Sequence, residues 1–361
     1  MDGQDRVRGC LLGGAIGDAL GAPIEFASLR EIRKHHGPDG VSGYVADWRG
    51  KTGLITDDTQ MTLFTVEGLV RADHASGSSA AVAGGAPVAA SPGAGDTGVA
   101  AASDAEVVEA VRQAYLRWYD TQSHDAPPPA DQPHRTGRLR EEGWLYSRRA
   151  PGNACLSGLR RPFPGPSPLG EPGPVNPDSK GCGTVMRSAP FGLFRTPSDP
   201  RSAFETAAAC AQITHGHPTG YLAAGAFAAI IAYLIAGEAL EPAVHRTLEL
   251  LADYRAHEET TAALRAALEL GGPPSPERVE SLGGAWVAEE ALAIGVYCAL
   301  AETSVERALL LSVNHSGDSD STGSVCGNLL GTLHGAAALP PAWLRPLEGR
   351  DTIERLAAEL A

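Results

Sequence analysis

Disulfide frameworks, aromatic-rich sheets and long membrane spans all find little support in this sequence of 361 residues. Its six cysteines (Cys10, Cys155, Cys182, Cys210, Cys298 and Cys326) are scattered, and no C-x-x-C pair occurs. That spacing reads as reduced thiols in a cytoplasmic protein. Aromatic residues make up only 6% of the chain, while alanine and glycine abound. Closely packed helices suit that balance better than a β-sandwich. No block of like charge stands out, although 43 acids against 29 bases leave a net charge of -14. An acidic surface disfavours general affinity for nucleic acid, because phosphate binding needs basic patches, but it leaves room for a local phosphate pocket. The N-terminal MDGQDRVRG lacks a signal-peptide pattern. An uninterrupted run of small and apolar residues, Gly220 to Ala236, falls short of the ~20 residues that a membrane span needs. A buried core helix is the expectation there, with no membrane partner.

What is present is helical spacing. Apolar residues recur at three and four, predicting helices over Arg6–Leu20, Gln60–Arg71, Ala105–Tyr119, Ser202–Gln212, Thr219–Ile235 and Pro242–His257. The same spacing continues over Thr260–Leu270, Val287–Ala301, Val305–Val313, Ser324–His334 and Thr352–Leu360. No series of strands is visible. Arg149-Ala150-Pro151-Gly152 and Gly271-Gly272-Pro273-Pro274 act as breakers. Three stretches read as loop insertions: the Ala/Gly/Ser-rich 73–104, the polar 122–138 with Pro127-Pro128-Pro129, and the Pro/Gly-rich 160–177. Two glycine ladders stand out: Gly9, Gly13, Gly17, Gly21 and Gly323, Gly327, Gly331, Gly335. A spacing of four keeps each set near one helix face, open to another backbone. Each glycine costs about 1 kcal/mol against alanine, which close packing must offset.

Two acidic clusters carry the chemistry. In Thr56-Asp57-Asp58-Thr59 the acids precede an apolar helix, so Thr56 is a candidate N-cap with both carboxylates in the first turn. In Asp318-Ser319-Asp320-Ser321 the acids stand at i and i+2, as in oxygen-rich cation loops, without the spacing of an EF-hand. Adjacent carboxylates repel unless a cation neutralises them. Four of them with hydroxyl neighbours suit a hard cation, Mg²⁺ or Mn²⁺, better than zinc. A shared binuclear site is the economical reading, and it would close one all-α domain over residues 1–361 around a cleft. Metal-assisted hydrolysis or phosphoryl chemistry follows, with the substrate left open.

The sequence resembles the ADP-ribosylglycohydrolase family. The resemblance is carried by Gly13-Gly14-Ala15-Ile16-Gly17-Asp18-Ala19-Leu20-Gly21-Ala22-Pro23-Ile24-Glu25, Thr56-Asp57-Asp58-Thr59, Gly181-Cys182-Gly183-Thr184-Val185-Met186-Arg187, Thr214-His215 and Gly317-Asp318-Ser319-Asp320-Ser321. These occur in family order and reach over nearly the whole chain. The resemblance implies an all-α fold with a binuclear Mg²⁺/Mn²⁺ centre, its ligands Thr56, Asp57, Asp58, Asp318, Asp320 and Ser321. Members often carry Thr at the last of these positions, and Ser321 keeps the hydroxyl. Glu25 matches an acid that acts in catalysis or gates substrate access, and Asp57 or Asp58 is an alternative base. Ser179, Lys180, Gly181, Cys182 and Gly183 match a loop that contacts ADP-ribose, although many members have Asn where Cys182 stands. Gly152 and Asn153 resemble a second substrate loop, and His215 a position lining the cleft. Arg187 is expected in a structural pair, and Trp286, Glu289 and Glu290 near a helix start beside the cleft.

The implied reaction is hydrolysis of the bond between C1″ of the distal ribose and a protein side chain, through a transition state of oxocarbenium character. An arginine acceptor is favoured. A serine, nucleobase or small-molecule linkage is the alternative, and a non-catalytic ADP-ribose binder resembling the family's crystallin relatives belongs to another class.

Overall fold

The computed structural model describes residues 2–82, 102–194 and 199–361. Among the described residues there is no strand, only an isolated antiparallel bridge between Gly181 and Val287. The helices are α1 (Gly3–Gly21), α2 (Leu29–His36), α3 (Asp57–Val82), α4 (Asp104–Ser123), α5 (Asn153–Leu159), α6 (Ala189–Leu193), α7 (Pro200–Ala211) and α8 (Pro218–Ile235). They continue as α9 (Leu240–Leu251), α10 (Glu258–Glu269), α11 (Pro276–Glu280), α12 (Ala288–Ala301), α13 (Val305–Val313), α14 (Ser319–His334), α15 (Pro341–Leu344) and α16 (Arg350–Leu360). They share one hydrophobic core, so the expected all-α single domain is what forms.

Several helix ends differ from the periodicity. The first of them, α3, begins at Asp57 and runs to Val82, so the stretch 73–104 starts as helix; its residues 83–101 lie outside the described ones. At the second insertion α4 continues through Ser123, because the Ser103–Glu106 capping box starts it and nothing breaks it before the prolines. Leu251 ends α9, ahead of the expected His257, and the chain then turns through Ala256 at a positive φ of 57°. Finally, α14 begins at Ser319, before Ser324, because the Asp318 carboxylate accepts the Ser321 N–H as its N-cap.

The apolar run forms α8, buried along its whole length within the fold. It packs against α6, α7, α9 and α12. A second layer is built on α1 and α14, which α12, α13 and α16 flank. The two glycine ladders face each other there: Gly9 meets Gly331, Gly13 meets Gly327, and Gly17 meets Gly323. At each step an added methyl would overlap the opposite backbone carbonyl. Asn328 donates to the Cys10 carbonyl at 2.8 Å across the same seam. The pairing is antiparallel, so the last turn of α1 lies beside the first turn of α14. Glu25, Asp318 and Asp320 sit at or near that junction, and Asp57 and Asp58 open α3.

Candidate active site

Two physical devices bring the distant acids together. The first is the glycine seam. Beyond α1 the chain makes one short turn at Ala22–Ile24 and reaches Glu25. The seam delivers that turn to the start of α14, where carboxylate oxygens of Glu25, Asp318 and Asp320 lie within 4.8 Å of one another. The second device is Asp18, fully buried on α1. Its carboxylate accepts the Thr56 N–H at 3.0 Å and the Thr56 hydroxyl at 2.9 Å. It also accepts the Thr59 N–H at 3.1 Å and the Thr59 hydroxyl at 2.5 Å. Asp18 thus grips the start of α3 and presents Asp57 and Asp58 to the same cleft. Thr56 meets the N-cap expectation, accepting the Asp58 N–H at 3.3 Å.

The loop before α14 is pinned from several sides. The Asn314 side chain accepts from and donates to Val41 at 2.8 and 2.9 Å. His315 bonds the Thr322 hydroxyl at 2.9 Å, and the Asp318 N–H donates to the Gly284 carbonyl at 3.0 Å. On the opposite wall Arg149 forks onto Glu348 and donates to the Ile55 carbonyl. That clamp sets Gly152, whose N–H donates to Asp57 at 3.3 Å.

The resulting cleft encloses about 770 Å³. Glu25, Asp57, Asp58, Asp318, Asp320 and Ser321 line it, together with Gly152, Asn153, Ser179, Gly181, Cys182, Gly183 and His215. Two expected residues stand apart. Lys180 turns its ammonium to Glu289 and, at 2.7 Å, to Glu259. Thr56 sits behind the aspartates with its hydroxyl on Asp18. Arg187 is buried but meets no acid among the described residues, in contrast to the expected pair. It donates to the Gly183 carbonyl and, at 2.6 Å, to the Thr214 hydroxyl, and it stacks on Tyr115. Arg187 therefore ties the 181–183 loop to the Thr214-His215 turn. Cys182 places its thiol 2.7 Å from Asp318 Oδ2.

The electrostatics are those of crowded, desolvated acids. Burial, then repulsion from Asp320, raises Asp57, Asp58 and Asp318 well above the usual carboxylate range. The same two causes push Glu25 up to about 10 and Asp18 up to about 7. One oxygen of Asp58, a residue only 3% exposed, has no hydrogen-bond partner among the described residues. A buried, unpartnered carboxylate oxygen is costly unless something positive meets it. The all-oxygen donor set fits a hard divalent cation. His215, by contrast, is kept neutral, pushed down to about 3 by burial and then by Arg187.

Sequence reasoning did not single out Asp18 within its motif, nor Arg148, Phe26 and Met186 of the cleft wall, and it gave Trp286 no role. The available signal was position: Asp18 interrupts a run of small and apolar residues, and Phe26 follows Glu25 directly.

A helical fold that gathers buried carboxylates at one open cleft suits the all-α glycohydrolase class. The chain belongs to the ADP-ribosylglycohydrolase family, whose sequence profile matches residues 1–361. It is similar to the ADP-ribosyl-[dinitrogen reductase] glycohydrolase of Rhodospirillum rubrum, 24% identical, with 96% of this chain and 91% of that protein aligned. The ADP-ribosylarginine hydrolase Tri1 of Serratia proteamaculans is 23% identical over 99% of this chain and 79% of its own. ADP-ribosylhydrolase ARH3 of Mus musculus is 23% identical over 98% and 90%. Among solved structures, an ADP-ribosylglycohydrolase-related protein complex matches at a TM-score of 0.61 and 24% identity, covering 99% of this chain and 98% of that one. That likeness concerns the fold.

Proposed function

We propose that this protein is a cation-dependent hydrolase that releases ADP-ribose from modified protein side chains, with arginine as the favoured acceptor. The observation that carries the proposal is the cluster of five cleft carboxylates with the unpartnered Asp58 oxygen among them. Asp57, Asp58, Asp318, Asp320 and Ser321 would hold two Mg²⁺ or Mn²⁺ ions. Thr56 would join them from behind the aspartates, because its hydroxyl donates a hydrogen bond to Asp18 and keeps an oxygen lone pair for a cation. When bound, the ions would orient the ribose hydroxyls and stabilise charge developing at C1″.

The chain's own groups do the rest. Glu25 is nearly buried and holds a proton readily, which suits general acid–base work at the scissile bond, and Asp57 or Asp58 is the alternative base. The 181–183 loop and neutral His215 form the wall along the sugar. Next to the cleft, a groove of about 700 Å³ shares Arg148, Asn153, Ala154 and Ser179 with it and adds Arg160 and Arg161. This is the basic place in an acidic protein where a diphosphate and its adenosine would lie. Six free cysteines, five of them buried, suit a reducing cytoplasmic location.

Serine-linked, nucleobase-linked or small ADP-ribosyl compounds remain as alternative substrates for the same site. A non-catalytic binder would have no use for five mutually repelling acids. The test offers arginine-linked and serine-linked ADP-ribosyl peptides with Mg²⁺, with Mn²⁺ and with chelator. Metal-dependent release from either linkage supports the hydrolase; no release from both refutes it. Asp57→Asn and Asp318→Asn should each abolish turnover while leaving the far-ultraviolet circular dichroism unchanged.

A further inference from the structure

Three large hydrophobic side chains are exposed among the described residues, and two of them meet at the mouth of the cleft. Phe26 is 74% exposed and Trp286 46%, and their rings stack with centroids 5.7 Å apart at an interplanar angle of 18°. Both line the cleft with the acids. Trp286 is held there by its backbone. Trp286 leaves a turn whose Ala285 holds a positive φ of 61°, and the Glu290 carboxylate accepts the N–H groups of Gly284 and Ala285 at 2.9 and 3.0 Å. Backbone strain of this kind costs about 1–3 kcal/mol and persists only where surrounding contacts enforce it. The Trp286 carbonyl also accepts the Cys182 N–H.

We infer that Phe26 and Trp286 form the acceptor subsite of the cleft, a π platform that selects a planar cation, the guanidinium of an ADP-ribosylated arginine. The inference rests on the hydrolase reading and deepens it. A diphosphate is repelled by five carboxylates and drawn to Arg148, so the adenosine arm departs through the groove that Phe26 and Trp286 do not line. The aromatic rim is left for the group on the other side of C1″. The carboxylates that line the same cleft favour a cation there over a neutral side chain. A guanidinium stacks on an aromatic face as well as pairing with an acid; a serine side chain gains neither.

The experiment compares kcat/KM on arginine-linked and serine-linked peptides for the wild type, Trp286→Ala, Trp286→Phe and Phe26→Ala. The arginine-to-serine ratio should fall roughly 3–30-fold in the alanine variants, the range a cation–π contact supplies, mainly through KM, and Trp286→Phe should restore most of it. An unchanged ratio, equal losses on both linkages, or a wild-type preference for serine overturns the inference while leaving the hydrolase reading intact. If neither linkage is cleaved, that reading falls by itself. Calorimetric titration of agmatine, with ADP-ribose present, then decides the subsite: binding lost in Trp286→Ala supports it, and no binding to the wild type overturns it.

Discussion

Asp18 accepts four hydrogen bonds from Thr56 and Thr59 and does not line the cleft. It orients the acid pair without touching a substrate. An Asp18→Asn variant keeps the shape, but its amide nitrogen cannot accept, so the start of α3 loses part of its grip. Partners of this kind typically matter by about 10–100-fold in metal affinity. Calorimetric titration with Mn²⁺ should show a loss of that size, and unchanged affinity would remove the positioning role. The cleft acids could be read from the sequence because two carboxylates in one helical turn need a cation or a solvent-exposed cap. Asp18 could not, because its meaning depends on α3 arriving beside α1. The same holds for Lys180, which the resemblance put in a substrate loop and whose ammonium meets Glu259 and Glu289 in the fold.

At the level of elements, the α1–α14 seam organises the packing. Spacing of four made each ladder visible, yet nothing in either segment says that the other is its partner. Gly13 lies against the Gly327 carbonyl, two turns from the acids, and a methyl there would overlap backbone. Gly13→Ala should therefore destabilise by about 1–3 kcal/mol or more, despite the better helix propensity of alanine. Gly3→Ala is the control, since nothing lies within 4 Å of the added carbon. Urea denaturation of both separates propensity from packing: Gly3→Ala should match or slightly exceed the wild type. A similar test applies between α3 and the buried face of α4, where Arg117, 1% exposed, pairs with Glu67 at 2.7 Å. Glu67→Leu strands the guanidinium and should cost about 3–5 kcal/mol in the same assay. Helix boundaries were less legible than helix faces. Caps such as Asp318 and turns such as Ala256 depend on backbone angles that apolar spacing does not report.

For the whole molecule, stability should respond both to acid and to added cations. His215 is neutral in the fold, pushed down to about 3, while the unfolded chain protonates it near the ordinary value of about 6.5. The unfolded state therefore binds the extra proton as pH falls below about 6.5. Stability is lost by up to about 1.4 kcal/mol per pH unit between there and pH 3. His215→Gln should flatten the dependence relative to the wild type over that window, and parallel curves would show that the imidazole does not drive it. Cations work in the other direction. Mg²⁺ or Mn²⁺ at about 100 times the dissociation constant should stabilise the wild type by about 2.7 kcal/mol, read as a rise in Tm that chelator reverses and that Asp318→Asn largely lacks.

The antiparallel seam also fixes when in the life of the chain a site can exist. Glu25 and Asp18 leave the ribosome early, whereas Asp318, Asp320 and Ser321 are made some 300 residues later. At ~5–20 residues per second, α1 waits roughly 15–60 s for the helix that completes it. Until then its glycine face is an open groove of bare backbone. A chain released before Asp318 has Glu25, Asp57 and Asp58, three of the five cleft acids, but no cleft. Activity is thus a property only of chains in which α14 has been made and has closed against α1.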